Sequence, residues 1–235
     1  MGGPAGLIAP DGSPVEVFRV LPPGPAPALL ASQLAPGSTV LDLGAGAGRL
    51  STPLAELGHR VTAVDVSPEM LAAIGGPAPI ERVCATIEGL ALGRRFDAVV
   101  LASYLVNHPS APAYLATCAR HLAGGGSVFV QRYDPEWVRD ATPDTVTAGN
   151  VTVSVERFAF GPDPDRFTIS VGYEIGAARW RQEIDARLVD DGALAALAAT
   201  SGLEIEGWLD EFRTWARLRH APGEATRDSQ PPGPT

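Results

Sequence analysis

Asp42 stands just ahead of a glycine run, Gly44-Ala45-Gly46-Ala47-Gly48, and Asp65 closes a later apolar stretch, Val61-Thr62-Ala63-Val64. Glycines in a turn let another molecule approach the backbone and accept positive φ. A carboxylate placed as Asp42 is would repel a pyrophosphate but can accept hydrogen bonds from an ammonium group. Asp65 offers two acceptor atoms, which suits a pair of vicinal hydroxyls. A second group of candidates lies in Ser103-Tyr104-Leu105-Val106-Asn107-His108. Histidine as a residue type suits acid–base work near neutral pH, which makes His108 the best candidate for a general base; the competing reading is a capping or surface histidine before Pro109. Tyr104 is either a substrate contact or core packing. The third group is Gln131-Arg132-Tyr133-Asp134-Pro135-Glu136-Trp137, dense in polar and aromatic side chains. There Arg132 could clamp a carboxylate bidentately, or simply pair with Asp134 or Glu136.

These residues need elements to hold them. Thr39 to Leu43 reads as a strand feeding the glycine turn, and Arg49 to Leu57 as the helix beyond it. Arg60 to Val64 is a second strand. Ser67-Pro68-Glu69 supplies an N-cap, a proline at the first helical position and a first-turn acid. Ile80 to Ala85 is a third strand, and Phe96 to Leu101 a fourth whose continuous apolar run suits burial on both faces. Ala111 to Leu122 is a helix, closed by Gly124-Gly125-Gly126 before a fifth strand, Ser127 to Gln131. Alternating strands and helices call for a parallel sheet with helices on both faces. The pattern then changes to period-2 alternation over Val151 to Phe158 and Phe167 to Ile175, with Arg179 to Val189 as a third strand of the same antiparallel meander. Asp190 or Asp191 caps a helix to Thr200, and Leu203 to Leu209 and Thr214 to Arg219 read as two closing strands.

A strand, a glycine turn and a helix place backbone N–H groups at the carboxyl edge of a parallel sheet, where ligands bind. The dinucleotide fingerprint is G-x-G-x-x-G, but Arg49 holds the place of its third glycine. An acidic residue followed by x-G-x-G-x-G resembles the first motif of the class I S-adenosylmethionine-dependent methyltransferases. The resemblance covers roughly residues 39–131 plus the closing strands. It implies an α/β fold: a Rossmann-like, mostly parallel seven-stranded sheet sandwiched by helices, here with an antiparallel β meander inserted after strand five. It also implies S-adenosylmethionine as cofactor, with S-adenosylhomocysteine as product. Asp42, Gly44, Ala45 and Gly46 would meet the methionine part. Asp65 would take the ribose hydroxyls, Val66 would pack on the adenine ring, and Ala102 would lie beside the methionine moiety. Where such families often carry an Asp against the adenine amino group, this chain has Thr86 followed by Ile87. Their hydroxyl and backbone N–H are the available adenine contacts. His108, Tyr104 and Arg132 are the candidates at the reacting end.

The 235 residues, 45% of them hydrophobic, suffice for one domain with an elaboration. We divide them into an N-terminal arm or lid (1–36), the cofactor-binding domain (37–220, insertion about 150–189) and a tail expected to be disordered (221–235). A net charge of −9 and a complete lack of lysine argue against a nucleic-acid partner. No Asn/Asp-Pro-Pro-Tyr run follows the fourth strand, and Leu101 to Ser103 lacks the carboxylates that would seat a magnesium ion. No signal peptide or membrane span is visible, and two cysteines imply no disulfide framework, so a reducing cytoplasm is expected. The reading is metal-independent methyl transfer to a small molecule, a specialised metabolite being one guess, by a monomer or homodimer. The alternatives are a cofactor-binding enzyme that does not methylate and, less favoured, a nicotinamide oxidoreductase.

Overall fold

The computed structural model describes residues 6–140 and 142–223. At its centre is β4 (Phe96–Leu101), whose residues from Ala98 to Leu101 are fully buried. Beside it lie β1 (Thr39–Leu43) on one side and β5 (Leu122–Gln131) on the other. Then β2 (Arg60–Asp65) and β3 (Ile80–Cys84) extend the sheet past β1, all parallel. On the far edge the closing strands β10 (Leu203–Trp208) and β11 (Trp215–His220) pair antiparallel, giving the order β10-β11-β5-β4-β1-β2-β3. This is the Rossmann-like, mostly parallel seven-stranded sheet expected.

Alternate residues of each strand go to opposite faces. Leu41, Leu43, Val99 and Leu101 meet α5 (Ala111–His121) and α7 (Asp191–Thr200) on one face. Val40, Val100 and Phe129 meet α2 (Ala26–Ala31) and α3 (Ser51–Glu56) on the other. Asp42 falls on this second face, so the alternation carries a carboxylate into an otherwise apolar layer. The helix starts follow their caps. Ser67 Oγ accepts from Met70 N at the head of α4 (Pro68–Ala73), and the Asp190 carboxylate accepts from Ala193 N at the head of α7.

The glycine run before strand five behaves differently from expectation. It does not close the helix as a free turn. β5 begins at Leu122, opposite Phe96, and the register then jumps so that Ser127 faces Ala98. The glycines are the bulge that absorbs the jump. A Cβ on Gly126 would lie 2.7 Å from the Asp97 carbonyl oxygen, closer than any side chain tolerates.

The insertion has four strands where three were expected: β6 (Asp144–Ala148), β7 (Val151–Phe160), β8 (Arg166–Ile175) and β9 (Ala178–Arg187), in sequential antiparallel order. Exposed β6 is too polar to stand out in the sequence. A bulge between Val155 and Arg157 keeps β7's apolar residues on one face, so that Val155 opposes Val171 and Phe158 opposes Ile169. Ahead of the meander, α6 (Pro135–Arg139) went unpredicted. Its Asp134-Pro135-Glu136 start repeats the logic of Ser67-Pro68-Glu69, and the Asp134 carboxylate accepts from Glu136 N.

The N-terminal arm contributes α1 (Val15–Val20). Val17 is buried among meander residues that include Ile169 and Tyr173, while Val15 packs on Met70 of α4. The arm thus bridges the meander and the sheet domain. Most of the expected C-terminal tail, from residue 224 on, lies outside the described residues. No described helix is long and apolar enough to cross a membrane.

Candidate active site

The carboxyl ends of β1, β2, β4 and β5 open into a cavity of about 890 Å³, covered by the arm and the apolar face of the meander. All twelve residues singled out from the sequence line it: Asp42, Gly44, Ala45, Gly46, Asp65, Val66, Thr86, Ile87, Ala102, Tyr104, His108 and Arg132. Lining a cavity does not give them the same work, and their partners separate them.

Gly44, Gly46 and Gly48 all have positive φ, at 70°, 56° and 84°. A Cβ on Gly44 would lie 2.5 Å from Leu105 Cδ1. The turn's N–H groups are not bare, as a phosphate cradle would need. Gly44 N and Ala45 N both donate to the Val64 carbonyl, at 2.8 and 2.9 Å, and Gly46 N donates to Asp65 Oδ2 at 2.8 Å. The N–H groups of Gly44, Ala45 and Gly46 are therefore tied to the end of β2 and are not free to cradle an anion.

Asp42 is 2% exposed. Its Oδ2 accepts from Ser51 Oγ at 2.6 Å, the Ser51 backbone N–H also acts on the carboxylate, and no side chain among the described residues donates to Oδ1. Burial pushes its carboxyl up to about 6, against the hydrogen bond from Ser51 and the nearby Arg49 charge. A buried acid facing a cavity is a ready partner for a cationic group. Asp65 is half-buried. Burial raises its carboxyl while N–H groups from Ser67 (2.9 Å, to Oδ1) and Gly46 hold it down. Each oxygen keeps a further acceptor site for a hydroxyl. Beside them, Val66 is exposed and Ile87 buried, with the Ile87 carbonyl taken by Thr117 Oγ1 at 2.8 Å. The Thr86 hydroxyl donates to the Glu88 carbonyl at 3.3 Å, which leaves its oxygen able to accept.

After β4 the chain takes an unusual path. Ser103 and Tyr104 are consecutive non-glycine residues at positive φ, 52° and 63°. Such residues cost about 1–3 kcal/mol each and persist only when neighbours over-determine them. Here Ser103 N donates to Gln131 Oε1 at 2.9 Å and Arg49 Nη2 donates to Ser103 Oγ at 3.2 Å. Tyr104 is thereby turned onto Tyr133, with ring centroids 4.0 Å apart, and Trp137 stacks beyond Tyr133. Gln131 and Arg49 gave no sign of this role in the sequence. All four tyrosines of the chain line the cavity, a convergence that no local pattern announces.

Two of the candidates at the reacting end have protein partners of their own. Ser110 N–H can only donate, and it donates to His108 Nδ1 at 3.0 Å, with the Tyr114 hydroxyl 3.2 Å from the same nitrogen. Arg132 pairs with neither Asp134 nor Glu136. It is 1% exposed. Its guanidinium donates to the Arg213 and Val189 carbonyls and to Asp191 Oδ1, at 2.9, 3.0 and 2.5 Å, and lies 4.3 Å over the Trp208 ring. It joins β5 to α7 and the closing strands.

A family model described as a methyltransferase domain matches residues 40–126, the stretch that carries the glycine turn, Asp65 and β4. Residues 40–126 of this chain thus resemble a methyltransferase domain. This domain is similar to a ubiquinone biosynthesis O-methyltransferase of Xanthomonas campestris, 35% identical over 102 residues, 40% of this chain and 43% of the relative. A Bradyrhizobium protein of the same name is 37% identical over 43% of this chain and 42% of its own. The matched part thus spans less than half the length of these curated relatives. Among solved structures, the CcbJ methyltransferase of Streptomyces caelestis superposes with a TM-score of 0.74 at 22% identity, over 88% of this chain and 96% of its own. A sugar N-methyltransferase of Streptoalloteichus gives 0.64 at 19%, over 94% and 98%. These two likenesses reach beyond the methyltransferase domain's matched segment, across the meander and closing strands, and concern the fold.

Proposed function

We propose that the protein transfers a methyl group from S-adenosylmethionine to a small molecule. The observation that carries this is one cavity uniting a glycine turn tied to the end of β2, a buried carboxylate, and a second carboxylate with two acceptor positions. Those donor and acceptor sets fit the cofactor's parts. Asp42 would meet its ammonium group, and Gly44, Ala45 and Gly46 would lie along the methionine chain. Asp65 would take the ribose hydroxyls, Val66, Thr86 and Ile87 would hold the adenine, and Ala102 would sit by the methionine moiety.

When bound, the cofactor supplies an electrophilic methyl group on a positively charged sulfur. The protein's part is mainly positioning, since an in-line displacement gains most from a fixed approach. The strained Ser103-Tyr104 backbone sets one wall of the reacting end. The meander and the arm, through Phe18, Leu21 and Tyr173, exclude water from above. We read the arm as a lid, because it spans both bodies that form the cavity. A cytoplasmic setting with Cys84 and Cys118 both unpaired, a monomer or homodimer, and no nucleic-acid partner complete the reading.

The test is a thermal shift. S-adenosylhomocysteine at a hundred times its Kd should stabilise the protein by about 2.7 kcal/mol, while NAD should not. Stabilisation by NAD alone, or by neither, would sink the proposal. Incubation with methyl-labelled cofactor and candidate acceptors then reads transfer directly.

A further inference from the structure

The cavity has a charge and surface character that bear on the acceptor molecule. Its cationic side chains are occupied. Arg132 is spent on Asp191 and two carbonyls, and Arg49 lies beside Asp42 and holds Ser103. The chain has no lysine to add. Asp11, Glu88 and Asp134 line the same cavity, and none of the three forms an ion pair among the described residues. An anionic acceptor would shed its hydration there without gaining a counter-charge.

The walls are aromatic. Tyr104 heads the Tyr104–Tyr133–Trp137 stack and is 39% exposed, and Phe18, Tyr114 and Tyr173 line the cavity with it. Aromatic faces attract cations through their quadrupoles, and carboxylates add to that field. The roof is mostly apolar: Val153, Val155, Ile169, Val171 and Ile184 line it. Of its polar residues, Glu183 pairs with Arg181, Asp185 accepts from Thr168 Oγ1, and Gln182 is used at both ends. Gln182 Oε1 accepts from Tyr173 and Nε2 donates to the Asp11 carbonyl and Ser13 Oγ.

The remaining observation is the occupied lone pair of His108. A hydroxyl acceptor must lose its proton as it attacks and is helped by a base near neutrality. An amine arrives mostly as its ammonium form and gives that proton to water before attack, after which the displacement itself requires no proton removal. From these observations together we infer that the acceptor is an amine nitrogen carried on an apolar body. The inference rests on the methyl-transfer reading. The nitrogen lone pair forms the new N–C bond while the C–S bond breaks, its electron pair remaining on sulfur. The positive charge passes from sulfur to nitrogen, where aromatic faces and carboxylates receive it. Any proton on the new ammonium leaves to water.

The test uses the full chain saturated with S-adenosylhomocysteine and three matched probes: 4-phenylbutylamine, 4-phenylbutanol and 4-phenylbutyrate. Calorimetric titration should rank the amine roughly tenfold tighter than the alcohol, with the carboxylate weakest. The combined variant Asp11→Asn, Glu88→Gln, Asp134→Asn keeps a capping side chain at the start of α6 and should erase the amine's advantage. Equal binding of the three probes, preference for the carboxylate, or no measurable amine binding at millimolar concentration would overturn the inference. So would an amine advantage that survives the triple substitution. Failure of S-adenosylhomocysteine itself to bind removes the methyl-transfer reading, and the inference with it. Cofactor binding without amine preference removes the inference alone.

Discussion

The substitution Asp42→Asn should strengthen the free protein and weaken its cofactor complex. It keeps the side-chain shape and an oxygen for Ser51 Oγ, and removes the charge. Burial lifts the Asp42 carboxyl from 3.8 to about 6, so the folded state holds a proton that the unfolded chain has already lost. The sign follows: stability is fully present below 3.8 and is lost as pH rises to about 6, after which it levels. The gap is worth at most about 3 kcal/mol. An asparagine at this position suffers no such loss. The free variant should match wild type near pH ~4 and exceed it by up to about 3 kcal/mol near pH ~8 in urea unfolding. Cofactor binding should run the other way. An ammonium ligand favours the ionised carboxylate, so wild-type affinity for S-adenosylhomocysteine should fall by up to roughly tenfold per pH unit below about 6, and the variant should bind more weakly without that step. Asp65 is raised by burial too, so the comparison of variant with wild type isolates Asp42. A variant less stable than wild type at high pH, or a wild-type affinity flat across this range, would refute the reasoning.

Three further substitutions probe other parts of the site. Asp65→Ala should weaken S-adenosylhomocysteine binding by about 1–3 kcal/mol through lost charge-assisted hydrogen bonds; unchanged affinity in calorimetry would mean the ribose is held elsewhere. Arg132→Leu should cost about 2–4 kcal/mol in urea unfolding because two carbonyls and Asp191 lose their donor, while substrate KM of the folded fraction stays put; a KM effect without a stability loss would favour the clamp. Gln182→Leu strips partners from the Tyr173 hydroxyl, the Asp11 carbonyl and Ser13. It should speed hydrogen exchange in residues 7–21 more than in the sheet, and uniform protection across the arm would show that Gln182 does not tie it down.

The cofactor end was legible because its signals are local. A short apolar strand, a glycine turn and an acid at each of two strand ends occupy a few residues apiece, and the parallel-sheet rules place those ends on one edge. Caps were legible for the same reason, and α6 was missed only because its Asp-Pro-Glu start was not read as such. The sequence by itself therefore determined the sheet, its order of elements and the edge that holds the site.

Tertiary structure decided what each side chain at the reacting end can do. Whether His108 has a free lone pair depends on Ser110 and Tyr114, and whether Arg132 is free depends on Val189, Asp191 and Arg213, which lie far along the chain. The burial that raises Asp42 is likewise a property of the packed molecule. So is the meeting in one cavity of four tyrosines from the segments after β4 and β5, from α5 and from the meander. A residue's type fixes its chemistry, but its charge state and free valences are set by neighbours that only the fold brings within a few ångströms.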